Sequence, residues 1–223
     1  EILRQLREEE VERVLAMLEA RFRKMLQMQE AVYEATLRLD RVPEGERTHN
    51  HEIEASRLSG KQSQIVVEVE KASLLLREDG TAVAFPEAID QMRDDMNQIV
   101  TRLAQGKVNK VTQGIEEDVL AALKEMIESL QKAQKDRDKA GKQGPAGQGG
   151  GDSGEPPLVD SLSELKMIRA LQMRVNNRTE RYSKMIEGEQ AENAELVDAL
   201  KRLADREKKI HRVTRDLQMG KNQ

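Results

Sequence analysis

The stretch VERVLAMLEARFRKMLQMQEAVYEATLRLDRVPEG, residues 11–45, decides the fold. Its apolar residues recur at alternating spacings of four and three: Val11, Leu15, Leu18, Phe22, Met25, Val32 and Leu39, with Gln29 and Thr36 as polar members of the same stripe. That spacing places them on one face of a helix running over about residues 2–41. Pro43-Glu44-Gly45 stops it, because proline cannot donate to the helical ladder and glycine releases the backbone. The same rhythm resumes in Ala55, Leu58, Ile65, Val69, Ala72 and Leu76, predicting a second helix over about residues 50–77 that ends at Asp79-Gly80. Two long helices joined by a short turn fold back as an antiparallel hairpin.

Phe85-Pro86-Glu87 opens a third helix with the stripe Ile89, Met92, Met96, Ile99 and Leu103; Glu87 and Asp90 suit the positive end of its dipole. Gly106 and Gly114 bracket a weak stretch that reads as a kink or connection, and a fourth helix carries Val119, Leu123, Met126, Leu130 and Ala133. Residues 1–140 therefore predict an elongated all-α bundle of about four helices.

Composition agrees. Charged residues make up 35% and aromatic residues 2% of the chain, so any core must be a narrow aliphatic seam between charged faces. The chain has no cysteine, which removes disulfides, cysteine-ligated metals and thiol nucleophiles. No apolar run approaches the roughly 18 residues a membrane-spanning helix needs. A start at Glu1 rather than Met points to a processed or excised segment, which leaves the compartment open.

Residues 141–157, GKQGPAGQGGGDSGEPP, hold seven of the 14 glycines and three of the five prolines. Such a segment buries too little apolar area to offset its backbone entropy and reads as a flexible linker. Beyond it, residues 158–223 form a second helical segment, where Ser161 and Glu164 make a candidate capping box. Its seam runs through Leu165, Ile168, Val175, Tyr182, Ile186, Leu196, Leu200, Leu203, Ile210 and Leu217, with Gln172, Thr179, Glu207 and Thr214 as polar members. The break at Gly188, Glu189 and Asn193 leaves two solutions, one long coiled-coil-like helix or a helical hairpin. Charge is segregated as well: residues 1–141 carry 22 basic and 28 acidic side chains, whereas 158–223 carry 14 basic and 11 acidic. Within 201–223 the count is eight Lys/Arg against three acids, which suits an acidic protein surface or anionic lipid or, more simply, a solvated helix face. No aromatic residue interleaves there to stack on bases, so nucleic acid is not an expected partner.

Motifs that could carry chemistry are few. His49-Asn50-His51-Glu52 has metal-ligand residue types, but the only other histidine, His211, is far away, and the cluster reads as a polar turn in which Asn50 caps the second helix. Gly106-Lys107 lacks the remaining residues of a phosphate loop. Asn177-Arg178-Thr179 matches a glycosylation acceptor yet falls within a periodic helix. The pairs Asp94-Asp95 and Glu116-Glu117 read as solvated helix faces, since sequence neighbours point apart on a helix. The ten methionines lie mostly on the seams as gap-fillers.

The runs ARFRKMLQMQ (20–29), LREDGTAVAFPEAIDQMRDDM (76–96), QGIEEDVLAALKEMIE (113–128), LKMIRALQMRVNNRTERYS (165–183) and IHRVTRDLQMGKNQ (210–223) resemble an uncharacterised family of exported helical, coiled-coil proteins of planctomycete-type bacteria. The resemblance implies a periplasmic or cell-envelope location and carries no known activity or catalytic residue. The expectation is a non-enzymatic scaffold or adaptor that acts through its helix seams on protein partners or on itself, with no cofactor and no small-molecule substrate. The alternative is a peripheral subunit of a bacterial cell-envelope complex, docking to anionic lipid or an acidic partner through the basic C-terminal helix. An enzyme built on His49 and His51 is a more distant third reading, because no pocket with converging ligands is evident.

Overall fold

A computed structural model describes residues 2–79, 82–142, 161–186, 191 and 193–220. Among these the protein is all-helical: α1 (Ile2–Asp40), α2 (His49–Asp79), α3 (Ala84–Ala104), α4 (Lys110–Lys142), α5 (Ser161–Ser183) and α6 (Ala194–Gln218), with one 3-10 turn at Glu44–Glu46. Gly141 and Lys142, read above as the start of the linker, close α4; residues 143–157 lie outside the described residues. The segment beyond is two helices that pack on each other; Gly188 and Glu189 lie outside the described residues, and Asn193 caps α6 by accepting from the Glu195 amide at 2.8 Å.

The first four helices form a ring in which α1 packs on α2 and α4, and α3 packs on α2 and α4. Cross-helix bonds fix the neighbours as antiparallel. Arg21 meets Glu68 at 2.6 Å while Gln62 donates to Gln29 at 2.7 Å; Gln131 donates to Glu19 at 2.8 Å while Tyr33 donates to Glu117 at 2.7 Å. The turns follow local chemistry. Gly106 adopts φ +68°, and its amide and that of Lys107 return to the Leu103 and Arg102 carbonyls. This is the left-handed ending that glycine allows a helix. Asn109 then caps α4 by accepting from the Val111 amide at 3.2 Å. α2 begins at His49, which places Asn50 inside the first turn rather than at its cap.

The stripes read from sequence meet at the centre of the ring. Leu15, Leu18, Phe22, Met25, Leu58, Ile65, Val69, Met92, Met96, Leu123 and Met126 are buried, and the inward residues of α5 and α6 belong to the same continuous core. The polar members of the first stripe are buried as well: Gln29 is bonded to Gln62, and the Thr36 hydroxyl donates to Glu116 at 2.8 Å. Glu116 corrects the reading of Glu116-Glu117 as a solvated pair. Its side chain is fully buried between α4 and α1, one oxygen has no partner, and only Glu117 stays exposed. Burial pushes its carboxyl up to about 8; the Thr36 bond offsets part of this and neighbouring Glu117 adds to it.

Two measurements check this packing. Phe22→Ala should destabilise the fold by about 3–5 kcal/mol through lost transfer energy and an unfilled cavity, read as a shifted denaturant midpoint. Because the folded Glu116 holds its proton to about pH 8 and the unfolded side chain releases it near 4.5, its contribution is largest below 4.5 and falls as pH rises through 8. Glu116→Gln should therefore raise the Tm more at pH 8 than at pH 5; equal Tm changes at both pH values would contradict the buried neutral carboxyl.

Candidate functional site

The α5–α6 pair rests on the bundle: α5 packs on α3 and α4, and α6 packs on α3. The junction is built around one carboxylate. Asp95 of α3 is 3% exposed, and Arg178 of α5 grips it with two parallel bonds of 2.8 and 2.9 Å. Arg206 of α6 reaches the same carboxylate at 2.9 and 2.5 Å and also donates to the Gln91 carbonyl at 3.3 Å. Both arginines are themselves buried. The remaining Arg178 edge donates from Nε to Asp118 of α4 at 2.6 Å, and Arg181 bonds the same Asp118 oxygen. Planar guanidinium forks suit this geometry, since each satisfies a carboxylate in two places. Burial alone would raise the Asp95 carboxyl, but the Arg178 and Arg206 charges outweigh it and hold it well below the usual carboxylate range.

Further clamps surround this centre. Arg174 of α5 pairs with Glu125 of α4, Arg102 of α3 pairs with Glu195 of α6, and Lys209 approaches Glu87 at 4.0 Å. At the far end Glu164 serves another helix. Val83, at the cap position of α3, contributes no side-chain cap; Glu164 of α5 accepts the Val83 and Ala84 amides at 3.0 and 2.5 Å and takes that place. The Ser161/Glu164 capping box is thus corrected: Ser161 is the first residue of α5, and the Glu164 side chain turns to α3. Burial pushes the Glu164 carboxyl up against the pull of the backbone amides at Val83, Ala84 and Phe85.

The seam residues fall out as follows. Ile168, Val175, Tyr182, Leu196, Leu203 and Ile210 are buried, and Ile186, Leu200 and Leu217 are partly buried against the core. Leu165 is 52% exposed, contrary to its place in the seam, and Thr179 of the same flank also faces solvent. The packed flank of α5 lies one residue earlier, at Glu164, Leu171 and Arg178; on α6 Arg206 and Val213 are buried where Glu207 and Thr214 are exposed, and Ala199 and Leu200 are both partly buried against the core. The reading of Asp94-Asp95 as a solvated pair is likewise corrected, since only Asp94 faces solvent. The residues that sequence reasoning missed, Asp95, Asp118, Arg178 and Arg206, are all charged, and opposite charge on separately read helices was their one available signal.

The other motifs are not drawn together. His49 is exposed beside Glu52 at 3.1 Å, whereas His51 is buried with its Nε2 unpartnered. Among the described residues no group of three or more His, Asp or Glu side chains is placed to hold a metal ion, and no helix is long and apolar enough to cross a membrane. Asn177 lies exposed within α5. No protein-family model, no curated protein and no solved structure matches the chain.

The junction is testable by charge removal. Asp95→Asn leaves two guanidiniums buried with one neutral partner between them and should cost about 3–5 kcal/mol. Replacing the cluster together, Asp95→Leu with Arg178→Met and Arg206→Met, should recover most of that loss, because most of the desolvation cost leaves with the charges while Asp118 keeps its bond to Arg181. Denaturant titrations of both variants check the contrast. The low Asp95 carboxyl contributes stability above the ordinary Asp range that is lost as pH falls below it, so wild type should weaken in acid more than the triple variant does.

Proposed function

We propose that this chain is a non-enzymatic interaction protein, a scaffold or adaptor, whose working chemistry is recognition between helices. The observation that carries the reading is the Arg178–Asp95–Arg206 cluster, in which arginines from two helices close on one buried carboxylate of a third. An apolar face fits many partners, whereas a buried charge tolerates only the partner that neutralises it. The segregated charge of the sequence supports the same reading: basic Arg174, Arg178, Arg181, Arg206 and Lys209 of α5–α6 meet acidic Glu125, Asp95, Asp118 and Glu87 of the bundle. Hydrogen exchange on the full chain with Arg178→Ala and Arg206→Ala tests it. Protection should fall in α5, α6 and the facing residues of α3 and α4 while α1 and α2 keep theirs. Unchanged protection, or uniform loss, would count against a discrete recognition element.

A second reading has its own observation. Lys201, Lys208, Arg212 and Arg215 are exposed along α6 at spacings that place them on one outward ridge. Such a ridge suits anionic lipid or an acidic partner at a cell envelope. Vesicles containing anionic lipid should float the wild type at low salt, and both high salt and replacement of the four residues by Gln should abolish flotation. Failure to float at low salt would remove this reading.

A further inference from the structure

We propose that the α3–α4 face holding α5–α6 is also the docking site for the α5–α6 pair of a second copy of this chain, so that copies link by exchanging hairpins. The inference rests on the helix-recognition reading above and names its partner. Three observations carry it.

The first is the specificity of the face. Asp95 is buried beneath Arg178 and Arg206, and Asp118 beneath Arg178 and Arg181, so an occupant that buries these carboxylates as charges must bring guanidiniums at matching positions on two packed helices. The hairpin of another copy meets that demand with identical atoms.

The second is the length of the connection. Lys132 of α4 contacts Ser163 at the start of α5, so the hairpin begins beside the last third of α4. α4 runs on to Lys142, ten residues or about 15 Å farther along its axis at 1.5 Å per residue. Residues 143–160 then have to cover a return of about that distance, whereas 18 residues can extend to roughly 60 Å. The surplus is several times the need, and it is enough for the hairpin to reach the face of an adjoining copy.

The third is the symmetry of the energetics. Exchange breaks and remakes the same Glu164 cap, the same ion pairs and the same apolar contacts, so the two arrangements differ chiefly in how the hairpin is tethered. A tether of this kind presents the hairpin at an effective concentration of about millimolar. Dilute protein is then self-docked, and exchange takes over where copies are concentrated side by side.

Complementary full-length variants test the proposal at micromolar concentration. One carries Asp95→Asn and Asp118→Asn, which spoils the face and keeps the hairpin; the other carries Arg178→Gln and Arg206→Gln, which spoils the hairpin and keeps the face. Only the mixture can assemble an unaltered junction, and only between chains. Each variant alone should scatter light as a monomer, and the mixture as a 1:1 complex of twice the mass. Because the chain has no cysteine, Lys209→Cys in the first variant and Glu87→Cys in the second can be bridged by a short bismaleimide. The doubled band should form only in the mixture. Circular dichroism of each variant checks that it remains helical.

Helical variants that stay monomeric when mixed would overturn the exchange and leave the recognition reading standing. A control places Glu87→Cys and Lys209→Cys together in one chain. If that chain bridges internally as efficiently in the spoiled backgrounds as in an otherwise unaltered one, the charges do not govern docking, and both readings are overturned.

Discussion

The carboxylate of Asp95 is the constraint on which the assembly of this protein depends. A charge removed from water on the surface of a four-helix ring is unfavourable unless opposite charge closes over it, and here it is closed from two directions by Arg178 and Arg206. That requirement fixes the rotation of α5 and α6 about their own axes, because each helix must turn one particular arginine inward. It also fixes their position along the bundle, since both forks must reach the same two oxygens. Apolar contacts supply much of the attraction, but Leu and Met side chains would accept neighbouring registers that the ion cluster does not.

The rest of the junction follows from that placement. With α5 held at Arg178, its N-terminus lies beside the start of α3, where Glu164 completes a cap that Val83 does not provide. The beginning of α3 is therefore finished by a residue 80 positions later in the chain. With α6 held at Arg206, its first turn brings Glu195 to Arg102, whose other donors already tie Thr112 and Asn109 across the α3–α4 turn. The bundle carries its own buried polar contacts, Gln29 with Gln62 and Thr36 with Glu116, and these pin α1 to α2 and α4 in the same way. Apolar stripes bring the helices together, and isolated buried polar groups select the register.

Much of the ring is legible in the sequence, because α1 to α4 present mainly apolar stripes with few polar members, and the chain turns at Pro43-Glu44-Gly45 and at Gly106. The α5–α6 pair is legible as helical but not in its rotation. Periodicity places Ile168, Val175, Tyr182 and Leu196, Leu203, Ile210 on the packed face, where they lie, but, Leu200 apart, sets the second flank of both helices one residue too late. The cause is the same in each: the true flank contains a buried arginine, Arg178 or Arg206, which hydrophobic periodicity counts as solvent-facing. Leu165 is drawn into the seam by that error, since it lies at the seven-residue spacing from Gln172 and Thr179. Asp95 and Glu116 are lost for a related reason, because each sits beside a second acid that does face water. A buried charge is specified by its partner in space, and no local pattern announces it.

Asp95 and Arg206 act as one unit across the junction. A double-mutant cycle of Asp95→Ala and Arg206→Ala, measured by denaturant unfolding of the full chain, reads that coupling. Close, desolvated charge pairs give coupling energies of about 1.5 kcal/mol or more, and a value in that range is expected here, with the single variants each strongly destabilised. Additive single effects, with coupling within about 0.5 kcal/mol of zero, would contradict it and leave the hairpin held by apolar contact alone.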